Sequence, residues 1–137
     1  MKKSVSILII LLLIIIWYEI PVTEHIHIKG EGKITSPVRF ALVTDLHSCS
    51  YGKNEAYLIR MIDNEKPDAV LLSGDIFDDK LSDNNTNDFI SVITDKYSCY
   101  YVTGNHKFWS GRADEMKKWL KDNGVTVYHC WVHAVFV

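Results

Sequence analysis

The sequence predicts an α/β domain built on a parallel sheet, and three observations predict it. Four short runs rich in β-branched and aromatic residues, at about 39–44, 68–72, 99–103 and 125–128, have the length and composition of strands. Between them lie segments with apolar residues at helical spacing, and alternation of strand and helix is the mark of parallel pairing through right-handed crossovers. The first three runs lead into polar clusters, Asp45-Leu46-His47, Gly74-Asp75 and Gly104-Asn105-His106. In α/β sheets ligands bind at the carboxyl ends of the strands, so clusters far apart in sequence converge on one crevice.

Each element follows from its residues. The chain begins with the basic Met1-Lys2-Lys3-Ser4, and residues 5–20 are almost wholly apolar, with Trp17 and Tyr18 where an interfacial aromatic belt would lie. No small-residue cleavage pattern follows before Pro21, so residues 1–20 are expected to be an uncleaved signal anchor forming one transmembrane helix. By the positive-inside rule, Lys2 and Lys3 would stay in the cytoplasm and the rest of the chain would be extracytoplasmic. Residues 21–37, with Gly30 and Gly32, form a linker leading into a possible edge strand, and the first firm strand starts near Arg39.

A helix is expected over about 54–65, with Leu58, Ile59 and Ile62 on one face and Lys66-Pro67 as its stop. After the strand ending at Leu72, residues 78–85 form a charged loop. Asn84 or Asn85 would cap a helix running to about Lys96 with Phe89, Ile90 and Ile93 inward. The strand ending at Thr103 is followed by a last helix over about 113–123, burying Met116, Trp119 and Leu120. Gly124 suits the position after its end, before the short strand 125–128. No internal repeat or low-complexity stretch interrupts this order.

Charge and cysteine content exclude some functions. With Lys2 and Lys3 set aside, 13 basic residues face 17 acidic ones, a formal charge of −4, whereas binding by phosphate neutralisation needs a basic face. Nucleic acid is therefore not an expected partner. Three cysteines, Cys49, Cys99 and Cys130, cannot all pair internally. Cys49 follows the carboxyl end of one strand and Cys99 begins another, a separation of about 15 Å at 3.3 Å per residue, which no disulfide spans.

The polar clusters carry the chemistry. Asp45 and His47 stand two residues apart where a strand ends, so alternation places both on one side, where a carboxylate oxygen and an imidazole nitrogen meet one cation. Asp75 can bridge two cations, and Gly74 beside it permits a close backbone approach. Asn105 offers a neutral oxygen, and His106 can remain unligated and protonated above the metals. A mixed oxygen and nitrogen set suits Mn²⁺, Fe or Zn²⁺ better than Ca²⁺. Any one of these motifs by itself is an ordinary turn; three at the carboxyl ends of successive strands point to a metal site.

Weaker candidates surround them. Asp78 and Asp79 sit where carboxylates would flank the bridging residue, although a charged loop is more often solvated. Cys49 is a soft donor two residues after His47, or simply a small loop residue. Tyr51, Phe108 and Trp109 would line an entrance near the metals or be partly buried in the core.

Over about residues 38–127 these motifs resemble the calcineurin-like metallophosphoesterases, and in particular a membrane-anchored bacterial phosphodiesterase-like branch. The family pattern is Asp-x-His, Gly-Asp, then Gly-Asn-His followed by an acid, and later Gly-His and Gly-His-x-His. By that resemblance Asp45 and His47 are ligands of a first metal, Asp75 the bridge, Asn105 a ligand of the second metal, and His106 the residue that stabilises or protonates the leaving oxygen. It also implies a four-layer α-β-β-α sandwich and hydrolysis of a phosphomonoester or phosphodiester at a dinuclear site of Mn, Fe or Zn.

The chain departs from this pattern in two places. Lys107 stands where the family has an acid that would orient His106. The later histidine motifs are absent: the chain ends at Val137, whereas a complete domain of this type runs to roughly 200–250 residues. His129 and His133 lack the glycines of those motifs. The sequence thus predicts three regions, an anchor at 1–20, a linker at 21–37 and the N-terminal half of a metallophosphoesterase domain at 38–137. The complete family site would hold two metals and this copy one or none, and the competing expectation is a catalytically inactive anchored remnant that binds at most one metal or a partner.

Overall fold

The computed structural model describes residues 21–30, 32, 35–78, 80–103 and 112–128. Four strands, β1 (Phe40–Thr44), β2 (Ala69–Gly74), β3 (Ser98–Thr103) and β4 (Val125–Tyr128), pair in parallel in the order β1-β2-β3-β4. Three helices join them: α1 (Ala56–Glu65), α2 (Asn84–Thr94) and α3 (Ala113–Asp122). This is the alternation expected from the sequence, with boundaries shifted by a residue or two.

Sequential strand order has a direct consequence for layering. Each crossover steps one strand in the same direction, and right-handed crossovers then lay every helix on one face of the sheet. Registered residues Val43, Leu72, Tyr101 and Val127 form one row on that face, and Ala41, Val70, Cys99 and Val125 another. Against them pack Leu58, Ile59 and Ile62 of α1, Phe89, Ile90 and Ile93 of α2, and Met116 and Leu120 of α3. Phe77 meets Trp119 edge-on with ring centroids 6.1 Å apart, closing the core beyond the carboxyl end of β2.

Among the described residues the opposite face is exposed. Phe40 and Leu42 are 55% and 60% exposed, and Tyr128, 54% exposed, stacks on Tyr100. A shallow groove of about 430 Å³ runs over Leu42, Leu71, Tyr100, Val102 and Tyr128. The described residues therefore form two layers, helices on sheet, where the family resemblance implies four.

Two helix starts differ from expectation. Lys53–Glu55 forms a separate 3₁₀ turn, because Asn54 and Glu55 adopt left-handed backbone angles (φ 53° and 58°), so the α-helix begins only at Ala56. Neither Asn84 nor Asn85 caps α2: both lie inside it, Asp83 precedes it, and Asn85 spends its amide elsewhere. The stop after α1 is as expected, with Lys66 at φ 50° ahead of buried Pro67. Cys99 is a buried free thiol, and burial pushes it up to about 11. Residues 21–30 have no regular secondary structure; His25 Nε2 lies 3.0 Å from Glu65 Oε2 on α1. Among the described residues no helix is long and apolar enough to cross a membrane, and the apolar segment at 5–20 lies outside them.

Candidate metal centre

The sheet brings the first two polar clusters together through its register. Thr44 pairs with Ser73, and Gly74 with Thr103, so β1, β2 and β3 end almost level. Asp45 and Asp75 leave that edge side by side: the Asp75 backbone N–H donates to Asp45 Oδ1 at 3.2 Å. His47 joins them because its backbone N–H donates to the Asp75 carbonyl at 2.9 Å. One donor atom from each of Asp45, His47 and Asp75 lies within 4.8 Å of the other two, with Asp75 buried, His47 half-buried and Asp45 exposed.

The backbone at this edge is held in an unusual shape. Asp45, His47 and Ser48 all have positive φ, at 52°, 49° and 52°, a conformation that costs non-glycine residues of order 1–3 kcal/mol each and concentrates at ligand clamps. Gly74 has φ 70°, and a Cβ on it would lie 2.5 Å from Asp45 Oδ1. Glycine is thus required twice, by the backbone angle and by the close approach of the carboxylate.

The polar surroundings supply a test of whether a cation fits. Asp75 Oδ1 is buried with no hydrogen-bond partner among the described residues. A buried carboxylate oxygen without a partner is costly unless a cation or proton meets it. Two carboxylates and an imidazole form a mixed set that suits Mn²⁺, Fe or Zn²⁺. Donor types, spacing and the orphaned oxygen therefore fit a divalent ion.

Asp78 lies at the rim, its Oδ2 3.8 Å from His47 Nδ1. Backbone N–H groups of Leu81 and Lys80 donate to its Oδ1 at 2.8 and 2.7 Å and hold its carboxyl below the usual carboxylate range. Behind the ligands, burial and then the charge of Asp75 push the Tyr101 hydroxyl well above its ordinary range, which keeps this core residue neutral.

A family model for calcineurin-like phosphoesterases matches residues 38–133, most of the chain and all of the sheet. The chain belongs to that family. No curated protein and no solved structure matches it. Members are divalent-metal enzymes acting on phosphoesters, and the group Asp45, His47 and Asp75 gives this calcineurin-like phosphoesterase domain a three-residue set able to hold such an ion.

The remaining sequence candidates divide simply. Asp78 faces the site, while Tyr51 packs against the core. Asn105, His106, Lys107, Phe108, Trp109, Asp79, His129 and His133 lie outside the described residues. Sequence reasoning missed Ser48, Asn85 and Thr86, which hold the loops bearing the ligands. No local signal marks them, since their hydrogen bonds span 37 and 38 residues.

Proposed function

We propose that this chain is a metal-dependent phosphoesterase whose first metal is held by Asp45, His47 and Asp75. The observation that carries the proposal is the convergence of these three donors on one sheet edge, with Asp75 Oδ1 buried and without a hydrogen-bond partner among the described residues. A bound divalent ion supplies Lewis acidity, polarising a phosphoryl oxygen and offsetting the charge that develops there.

The chain's own residues do the positioning. Main-chain donation from Asp75 orients the Asp45 carboxylate, and donation from His47 to the Asp75 carbonyl ties the two loops together. By family resemblance Asn105 contributes to a second metal and His106 meets the leaving oxygen. Both follow β3, which ends level with Gly74. The apolar stretch at 5–20 after Lys2-Lys3 supports a single-pass anchor that places the domain outside the cytoplasm.

A second reading is favoured by Lys107, a cation where the family has an acid: the domain then binds metal without turnover. Hydrolysis of a nitrophenyl phosphodiester by the full chain, with Mn²⁺ and with chelator, separates the two. Mn²⁺-dependent turnover that Asp75→Asn abolishes supports the enzyme. Mn²⁺ binding without turnover supports the second reading.

A further inference from the structure

Ser48 and Thr86 are both fully buried, on different elements, and their hydroxyls meet at 3.1 Å. Their neighbours fix the direction of every bond in the cluster. The Asp78 backbone N–H, a pure donor, points at Ser48 Oγ at 3.1 Å. The Ile76 carbonyl, a pure acceptor, receives Thr86 Oγ1 at 3.2 Å. Each hydroxyl has one proton to give, so Thr86 donates to Ile76 and Ser48 must donate to Thr86. The relay runs from Asp78 N–H through Ser48 and Thr86 to the Ile76 carbonyl. That carbonyl also accepts the Ser48 backbone N–H at 3.2 Å, closing the cluster on itself.

The position of this relay is what gives it a role. Ser48 follows His47 and Ile76 follows Asp75, so the relay joins the residues immediately after two metal-capable side chains. Asp78, whose N–H starts it, also faces His47 Nδ1 at 3.8 Å. Thr86 sits in the first turn of α2, and beside it Asn85 donates its amide to the Ser48 carbonyl at 2.9 Å. A rigid helix thereby grips a loop whose Ser48 is held at φ 52°. Buried polar groups in a satisfied network of this kind specify one geometry, and losing one partner leaves another stranded.

We propose that Ser48 and Thr86 are positioning residues of the metal centre: their buried hydroxyl relay, supported by Asn85, sets the separation of His47 and Asp75. The proposal rests on Asp45, His47 and Asp75 forming that centre. It predicts that removing a hydroxyl weakens metal binding although neither hydroxyl touches the metal.

The test compares Thr86→Val, Thr86→Ser, Ser48→Ala, Asn85→Ala and Asp75→Asn in the full chain, reading Mn²⁺ affinity, the visible spectrum with Co²⁺ and the melting temperature. Thr86→Val and Ser48→Ala should weaken Mn²⁺ binding by about 10–100-fold, the range for residues that orient metal ligands, and alter the Co²⁺ spectrum. Thr86→Ser, which keeps the hydroxyl, should restore both. If Thr86→Val fails to fold, Asn85→Ala carries the test, since it frees the Ser48 carbonyl without disturbing the buried pair. Wild-type Mn²⁺ binding and Co²⁺ spectra in Thr86→Val, Ser48→Ala and Asn85→Ala, with binding lost in Asp75→Asn, would overturn the positioning role and leave the metal centre standing. Undiminished binding in Asp75→Asn would overturn the metal centre, and the positioning role with it.

Discussion

Gly74 leaves open the space that the Asp45 carboxylate fills: a Cβ on Gly74 would stand 2.5 Å from Asp45 Oδ1. One strand end thus shapes the ligand of its neighbour, and the Asp75 N–H completes the hold.

Gly74→Ala should therefore damage the site more than the fold. The left-handed backbone at φ 70° costs a residue with a Cβ about 1–2 kcal/mol, and the displaced Asp45 costs metal affinity in addition. At about 4–8 °C per kcal/mol for a small domain, the melting temperature should fall by several degrees. Calorimetry paired with Mn²⁺ titration checks this; an alanine variant with wild-type affinity would show that Asp45 has room to move.

Glu55 gives a pH dependence of defined sign. Its side chain is 1% exposed, and burial raises its pKa, opposed by hydrogen bonds from the Tyr51 backbone N–H and the Ser50 side chain and reinforced by the charge of Asp88. The folded state thus holds the proton more tightly than the unfolded state. The stabilising contribution is complete below the unfolded glutamate value of about 4.3 and is lost as pH rises through the raised folded value. Glu55→Gln should melt above the parent at neutral pH, and the gap should close on acidification. A gap that widens in acid would reverse the assignment.

The strand and helix alternation was legible because each strand is a short apolar run and each helix carries its inward residues at helical spacing, as Leu58, Ile59 and Ile62 do. Asp45, His47 and Asp75 were legible as a set because they follow strands, and parallel strands end at one edge. The backbone around them was not. Asp45, His47, Ser48, Asn54 and Glu55 take left-handed angles that carry no glycine signature, so the local turn chemistry is hidden and the start of α1 is displaced. Asn85 illustrates a different difficulty: an asparagine near a helix start suggests a cap, but its amide satisfies the Ser48 carbonyl 37 residues away.

The sheet face left exposed among the described residues should drive association. Parallel sheets are ordinarily covered on both faces, whereas Phe40, Leu42 and Tyr128 are exposed here. Sedimentation of the full chain in mild detergent should show oligomers, and Leu42→Glu combined with Tyr128→Glu should shift them toward monomer. A monodisperse parent monomer would contradict this.

Membrane topology is tested separately. With Lys2 and Lys3 ahead of the apolar stretch at 5–20, a reporter fused after Val137 should be active only outside the cytoplasm and should sediment with membranes. Release of a shortened soluble product would replace the anchor by a cleaved signal.

The central claim is that Asp45, His47 and Asp75 hold a divalent ion, and Mn²⁺ titration of the full chain followed by electron paramagnetic resonance tests it most directly. The account predicts a saturable site that Asp45→Asn, His47→Ala and Asp75→Asn each weaken strongly, with the melting temperature of the parent rising as the site fills. Absence of a saturable site, or binding that survives all three substitutions unchanged, would contradict it.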